Sequence, residues 1–477
     1  MSNGKKSIFI TPDGRNLVFT FVLVTSLFLL WGFLNGMIDV MDKHFQDDLG
    51  LNKAQSAWVQ FAHYLGYFIM SIPAGWLATK LGYKGGIIAG LLLVATGGFT
   101  FVPATYVNGL VHTGRVSPNM GFVAFLVGVC IIATGLTFLE TIANPYTTVL
   151  GDQRYAATRI NLAQSCNGVG WIMGPVVGSL FFYSRDAAGH NTGSQTLYIP
   201  YLTVAFVVLA LAVVFYFANV PDIKTEDDYH LDDQDPGYSH SIWSHPHFVL
   251  AVAAQAFYVA AQAGIFSFFI NYMTSELPPI PRSIEDGVSN FGAHAGFIGT
   301  WLAGWFVTTK TGIIALSDKG ASNLASIGLI CFLIGRFTGA GILRRFAAHK
   351  VLGIYGVMSV LVTLVVFLKV GWVSVICLFL SYFFMSIMFP TIFAMGIFGL
   401  GVRSKRASSF IVMAIMGGAI LPKLMGFVAD RYDMSRGFIV PMLCFVFVAF
   451  YGFAWPRLAR AESLHAIPAR PVVRTGH

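Results

Sequence analysis

Gly75-Trp76-Leu77-Ala78-Thr79-Lys80-Leu81-Gly82-Tyr83-Lys84 separates two apolar runs, 55–79 and 85–104. Each run is close to the ~20 residues that cross the hydrocarbon of a bilayer, so this basic turn joins two spans on one face of a membrane. It has an echo at Gly341 to Lys350, where the framing glycine and lysine stand at the same separation and Arg344 and Arg345 add charge. Working outward from the two turns, further apolar runs at 17–41, 119–149, 160–183, 198–220, 249–272, 322–343, 351–368, 371–400, 408–429 and 437–456 complete a set of twelve.

Composition agrees. Charged residues make up 11% of the 477 and apolar residues 56%, whereas a soluble domain carries roughly 25% charge. That is too little charge to coat a soluble globule, and disorder, collagen and a disulfide scaffold are excluded as well. The net charge of +8 is a matter of loop charges and not a nucleic-acid footprint. Cys130, Cys166, Cys331, Cys377 and Cys444 are scattered through apolar runs without ligand spacing, as small packing residues are. No metal site is expected. Lys5, Lys6 and Arg15 precede a first apolar run too long for a signal peptide, so that run is read as a retained span.

Lys and Arg placement fixes the count of spans. With twelve, Lys80, Lys84, Arg154, Arg159, Lys224, Arg344, Arg345, Lys350, Arg403, Lys405, Arg406 and the basic residues of both termini share one side. That side is the cytoplasm of a plasma membrane of the bacterial inner-membrane type. The uncharged run 287–309 could be a thirteenth crossing, but it would carry half of these charges outside. Residues 279–321 are therefore expected to be an outside insertion that lies on the membrane surface or caps the bundle. The acidic stretch 221–246 reads as a solvated cytoplasmic linker.

The two halves repeat. Pro145 and Gly151 correspond to Pro390 and Gly396. Arg159, Gly170 and Pro175 correspond to Arg406, Gly417 and Pro422 at one constant offset. The expected fold is all-α: twelve transmembrane helices as two pseudo-symmetric six-helix bundles, 1–220 and 247–477, with a site at the midplane between them.

These features resemble the major facilitator superfamily, although Thr79 replaces the usual acid of its basic turn. A closer resemblance rests on Phe28-Leu-Leu-Trp31-Gly with Asp39, Leu139-Glu140-Thr with Ala-Asn144-Pro145, Asn161-Leu-Ala-Gln164 with Asn167, Ile334-Gly-Arg336-Phe-Thr-Gly339, Phe389-Pro-Thr-Ile-Phe393 and Ser409-Phe-Ile-Val-Met413. Together they are similar to the L-fucose:proton symporter family, which includes glucose/galactose and N-acetylglucosamine carriers. The resemblance implies that Asp39 is the proton site and that Glu140 binds sugar and couples to that proton. Phe389 stands where fucose symporters carry Tyr, and Gly36 where they carry Asn, which points away from fucose itself.

The residues give their own reading. A charge inside the membrane costs about 2.5–3.5 kcal/mol on insertion scales and so needs a reason. Trp31, Asn35 and Asp39 share one face of span one: a flat ring for the C–H face of a sugar, and an amide and a carboxyl for its hydroxyls. The alternative for Asp39 is a wet residue paired with Lys43. Glu140 lies deep in span four with no basic residue near it in sequence, beside Thr137 and Asn144 on one stripe. Such a carboxyl either exchanges a proton or hydrogen-bonds a neighbouring helix. Gln164 and Asn167 in span five, with Asn161, and Tyr258 and Gln262 in span seven, with Gln255, are amide and phenol stripes suited to a wet cavity or to helix contacts. Phe389 adds an aromatic wall. Arg336 is expected as a gate or a tether to carbonyls. Lys423 either snorkels outward or serves the cavity, and His63 is a third group able to titrate near neutral pH.

No G-K-[ST] phosphate loop and no H-E-x-x-H occurs, and no catalytic set is expected. The reading is a secondary active, proton-coupled symporter of a neutral monosaccharide, without cofactor and as a monomer. One proton moving down about 100 mV supplies about 2.3 kcal/mol, enough for roughly 50-fold accumulation. A sodium-coupled carrier or a uniporter of the same fold keeps the cavity but changes the role of Asp39. A sugar sensor or an intramembrane enzyme is a third class.

Overall fold

A computed structural model describes residues 8–10, 16–49, 58–182, 198–221, 241–294, 296, 299, 302, 304–308, 312–461 and 464. Span one is Val18–Leu49. Spans two and three form one run, Trp58–His112, broken only at Gly82. There φ is 71°, a conformation that glycine adopts without penalty, and the chain reverses. Spans four to nine are Pro118–Val149, Ala156–Phe182, Tyr198–Phe217, Pro246–Ser275, Asp318–Leu343 and Ala348–Phe367. Among the described residues ten helical stretches are long and apolar enough to cross a membrane. One of them, Phe61–Val111, is long enough to cross twice, and span five joins the set in spite of its amides. The result is twelve crossings.

The last three spans depart from regular helix. Span ten is Trp372–Met385 followed by Met388–Gly396. Span eleven is Ser404–Met413 and Gly417–Arg431, joined by the 3-10 turn Ala414–Met416. Span twelve is Met434–Gly437 and Ile439–Ala459. The breaks in spans ten and eleven fall at mid-membrane depth, where freed backbone groups are tolerated only inside protein or beside a cavity.

Among the described residues the run 287–309 forms no helix long enough to cross. Its first part belongs to a largely exposed helix, Arg282–His294. Its last part enters a two-stranded hairpin in which Phe306–Thr308 pairs antiparallel with Ile314–Leu316. Of the acidic stretch, residues 222–240 lie outside the described residues.

Glycines set the spacing of spans one and five. A Cβ on Gly32 would overlap the carbonyl of Asn167, and one on Gly170 would overlap the carbonyl of Leu29. One on Gly174 would lie 2.5 Å from the carbonyl of Phe33. Backbone therefore meets backbone along three successive levels. Span four packs on the helices of Trp58–His112, and span seven on spans eleven and twelve.

One end of the bundle gathers the basic residues. There Arg159 is buried and donates to the carbonyls of Thr147, Thr148, Asp152 and Ile8, so it closes the turn between spans four and five. Its repeat partner Arg406 is exposed; the repeat conserves position there and not role. The first six and last six spans also meet at this end. Ser408 Oγ donates to the Thr141 carbonyl at 2.6 Å, Asn161 Nδ2 to Thr391 Oγ1 at 3.1 Å, and Lys405 Nζ stands 4.1 Å above the Tyr83 ring. Thr79, at the position of the usual acid, donates to the Trp76 carbonyl in its own helix. Leu464 is buried in the same seam, beside Arg154 and Ala157 on one side and Leu343 to Ala348 on the other.

Candidate functional site

Past this contact zone, toward the opposite end, a cavity of about 160 Å³ lies between the two sets of spans. One enclosed water needs roughly 10–15 Å³ on the same measure, so the space admits a multi-atom ligand. Spans one, two, four and five wall one side, through Trp31, Asn35, His63, Tyr67, Glu140, Gln164, Asn167 and Trp171. Spans seven, eight, ten and eleven wall the other, through Gln262, Phe266, Phe332, Arg336, Phe389 and Ile415.

Most of the residues picked from the sequence meet here. Trp31 is packed against Phe28, with ring centroids 4.2 Å apart, and offers its remaining face to the cavity. Gln164 Nε2 donates to Asn144 Oδ1 at 3.2 Å. Asn144 is fully buried and stands behind Gln164, outside the lining. Asn167 Nδ2 donates to the Phe28 carbonyl at 3.2 Å, which fixes its amide across the glycine seam. Phe389 lies in the first turn of the second piece of span ten and meets Tyr258 edge-on, centroids 6.4 Å apart. Tyr258 itself is fully buried behind that ring and does not line the space.

The fold gives Glu140 a charged neighbour and leaves Lys423 out of the lining. Glu140 has no basic neighbour along the chain, but in space it lies within electrostatic reach of Arg336 from span eight. Folding across the two halves supplies the partner that sequence distance hid. Arg336 also donates from Nε to the Ser386 carbonyl at 3.1 Å and from a terminal nitrogen to the Gln164 carbonyl. It therefore ties the break in span ten to the middle of span five, and its guanidinium covers the Phe332 ring at 4.5 Å. Lys423 is exposed and does not line the cavity. Its position two turns from Asp430 fits the snorkelling alternative. Asp39 continues the helix of span one, and its side chain lies outside the described residues.

Sequence reasoning missed Trp171 and Phe332 as lining residues. Nothing distinguishes a lining aromatic from a packing one in an apolar span. Tyr67 follows His63 by four residues, and the two rings sit 5.0 Å apart. That spacing was the available signal.

The polar atoms of the site are incompletely satisfied. Asn35 Oδ1, His63 Nδ1 and the Tyr67 hydroxyl, all on lining residues, are buried without an aligned hydrogen-bond partner. Each such group costs about 1–3 kcal/mol when left unpaired, so several together mark a place that polar ligand atoms or water complete. Among the described residues no group of His, Cys, Asp and Glu is arranged to hold a metal ion.

The Major Facilitator Superfamily model matches residues 17–317. The chain belongs to the Major Facilitator Superfamily. It is 35% identical to the L-fucose-proton symporter of Escherichia coli (strain K12), over 91% of this chain and 93% of that one. It is 30% identical to the glucose/galactose transporter of Brucella abortus biovar 1 (strain 9-941), over 93% and 95%. Among solved structures it resembles the Major Facilitator Superfamily transporter FucP in the outward conformation. That match has a TM-score of 0.73 and 34% identity, and covers 92% of this chain and 99% of that one. As a member of this superfamily the chain is an integral membrane transporter and not an enzyme.

Proposed function

We propose that the chain is a secondary active transporter that brings a neutral monosaccharide into the cell together with a proton, by alternating access. The carrying observation is the cavity itself. One membrane-depth carboxyl, Glu140, shares it with underpaired amide and phenol atoms and with the rings of Trp31, Trp171 and Phe389. Aromatic faces take the C–H surface of a sugar, the amides of Asn35, Gln164, Asn167 and Gln262 take its hydroxyls, and a carboxyl takes the coupling proton. The relatives that transport fucose with protons, or glucose and galactose, support the same reading.

In this reading the basic end is cytoplasmic, as the Lys and Arg bias requires, and both termini lie there. The halves are 1–220 and 247–477, joined by 221–246, and they rock about the closed contact zone. The cavity then faces outward, with Asp39 near its outer rim as the first proton site and Glu140 as the inner one. Arg336 holds the closure, and the site is complete in one copy, so the carrier works as a monomer. Phe389 in place of a phenol favours a hexose of the glucose or galactose kind, or an N-acetylated one, over L-fucose.

The test is uptake into proteoliposomes across a panel of monosaccharides, with an imposed pH gradient, with a sodium gradient and with neither. Accumulation driven by the pH gradient is expected. Accumulation driven only by sodium, or equilibration alone, refutes proton coupling; competition by L-fucose alone refutes the choice of sugar.

A further inference from the structure

Tyr67 faces both chemistries of the cavity. Its hydroxyl lies beside the Glu140 carboxyl and beside the Asn35 side chain, yet is aligned with neither as a hydrogen bond, and Asn35 Oδ1 has no partner. The ring is fixed: Tyr67 is 2% exposed and packs against His63 one turn away. What remains free is the rotation of one O–H. The other titratable or charged groups around it are His63 and Tyr64 on its own helix and Arg336 from span eight; the side chain of Asp39 lies outside the described residues.

A phenol has one proton to give and an oxygen that also accepts. When Glu140 is ionised, the bond from Tyr67 to the carboxylate is charge-assisted and roughly twice as strong as a neutral one, so the O–H turns to Glu140. When Glu140 carries a proton, its own O–H donates to the Tyr67 oxygen. The phenol proton then turns to the cavity, toward Asn35 Oδ1 or a sugar oxygen. No proton passes between residues; Glu140 takes its proton from water.

We propose that Tyr67 is a positioning residue that reports the protonation state of Glu140 to the bound sugar through the direction of its single O–H. This inference rests on the proton-coupled sugar reading above. The sign suits a symporter: sugar meets one more donor when Glu140 is protonated, and by reciprocity the sugar favours the protonated carrier.

The test is the dissociation constant of the purified, full-length protein for the monosaccharide it accumulates best, measured by calorimetry over a pH series. For the wild type, binding should weaken as pH rises. For Tyr67→Phe, binding at low pH should be ~10-fold weaker, the loss of one hydrogen bond, and should no longer vary with pH. A Tyr67→Phe protein with the wild-type pH dependence overturns the proposal. If that variant does not fold, Glu140→Gln decides: its amide donates to the Tyr67 oxygen at every pH, so binding should stay at the low-pH wild-type value throughout. A wild-type pH dependence in Glu140→Gln overturns the proposal equally. Wild-type protein that binds no monosaccharide of the panel overturns the transport reading, and this inference with it.

Discussion

Arg336 in span eight and Gln164 in span five are joined across the seam by a guanidinium bond to a main-chain carbonyl. The acceptor is backbone, so removing the Gln164 side chain leaves it in place, although the longer bonds from the same nitrogen to Gln164 Oε1 at 3.4 Å and Asn167 Oδ1 at 3.5 Å do depend on those side chains. The second tie, from Nε to the Ser386 carbonyl, uses another edge of the same planar group. Arg336→Lys should therefore fail as a conservative change, because one ammonium cannot reach both carbonyls. Each charge-assisted bond is worth about 1.5–3 kcal/mol. A lower melting temperature in detergent and at least ~10-fold slower uptake are expected; near-normal uptake by Arg336→Lys would count against the tether.

Glu140→Gln keeps the size of the side chain and removes its titration. Concentrative uptake should be lost, while counterflow of sugar for sugar, which needs no net proton movement, should persist. Full gradient-driven accumulation by this variant would remove Glu140 from the coupling step.

The seam between spans one and five predicts a graded glycine series. Gly32→Ala and Gly170→Ala put a methyl into a backbone carbonyl, which forces the helices apart and should cost several kcal/mol, on the order of a severe overpacking. Gly109→Ala, where nothing lies within 4 Å, should be neutral. Yield of monodisperse protein and melting temperature report the difference, and equal behaviour of the three variants would dissolve the argument.

At the end opposite the basic one, Lys369 bridges Glu276 at 2.8 Å and Asp433 at 3.1 Å. The bond to Glu276 raises the Lys369 ammonium above the ordinary lysine range. Its contribution is thus present below about 10.4 and fades only as pH climbs past its folded value. Burial pushes the Asp433 carboxyl up, but the Arg436 N–H and Lys369 together leave it below the ordinary range. Its contribution is present above about 3.9 and fades as pH falls through its folded value. Between these limits the triad should add no pH dependence to thermal stability. With Lys369 largely solvated, Glu276→Gln should cost no more than about 1 kcal/mol. A steep loss near neutral pH would show that another group dominates.

The spans were legible because the bilayer demands length and apolarity, and because the positions of Lys and Arg decide which apolar runs cross. The same logic kept 287–309 out of the membrane. The breaks in spans ten and eleven went unread although signals for both are present: Pro390 stands four residues after Ser386, and Gly417-Gly418 follow Ala414-Ile415-Met416. Pro390 has no N–H to give the Ser386 carbonyl, and Arg336 takes that freed acceptor. Of the site, helical spacing put Trp31 with Asn35, and Gln164 with Asn167, on common faces. It gives only relative azimuth, however. It could not say that Asn144 and Tyr258 sit one layer behind the cavity, that Lys423 stays out of the lining, or that Arg336 comes within reach of Glu140 from another half of the chain.

The glycine contacts of spans one and five have a final consequence. With carbonyls seated directly against the neighbouring helix, neither span can slide or roll past the other by even a methyl's width. Trp31 and Asn35 on one, and Gln164 and Asn167 on the other, thus form a ruler of fixed length. It measures the same distance between ring face and amide whichever side of the membrane is open. In the transport function proposed above, a sugar that fits the ruler fits it throughout the cycle, so any difference in grip between loading and unloading has to arise on the facing wall. There span ten is broken, and span eleven is interrupted by a short 3-10 turn.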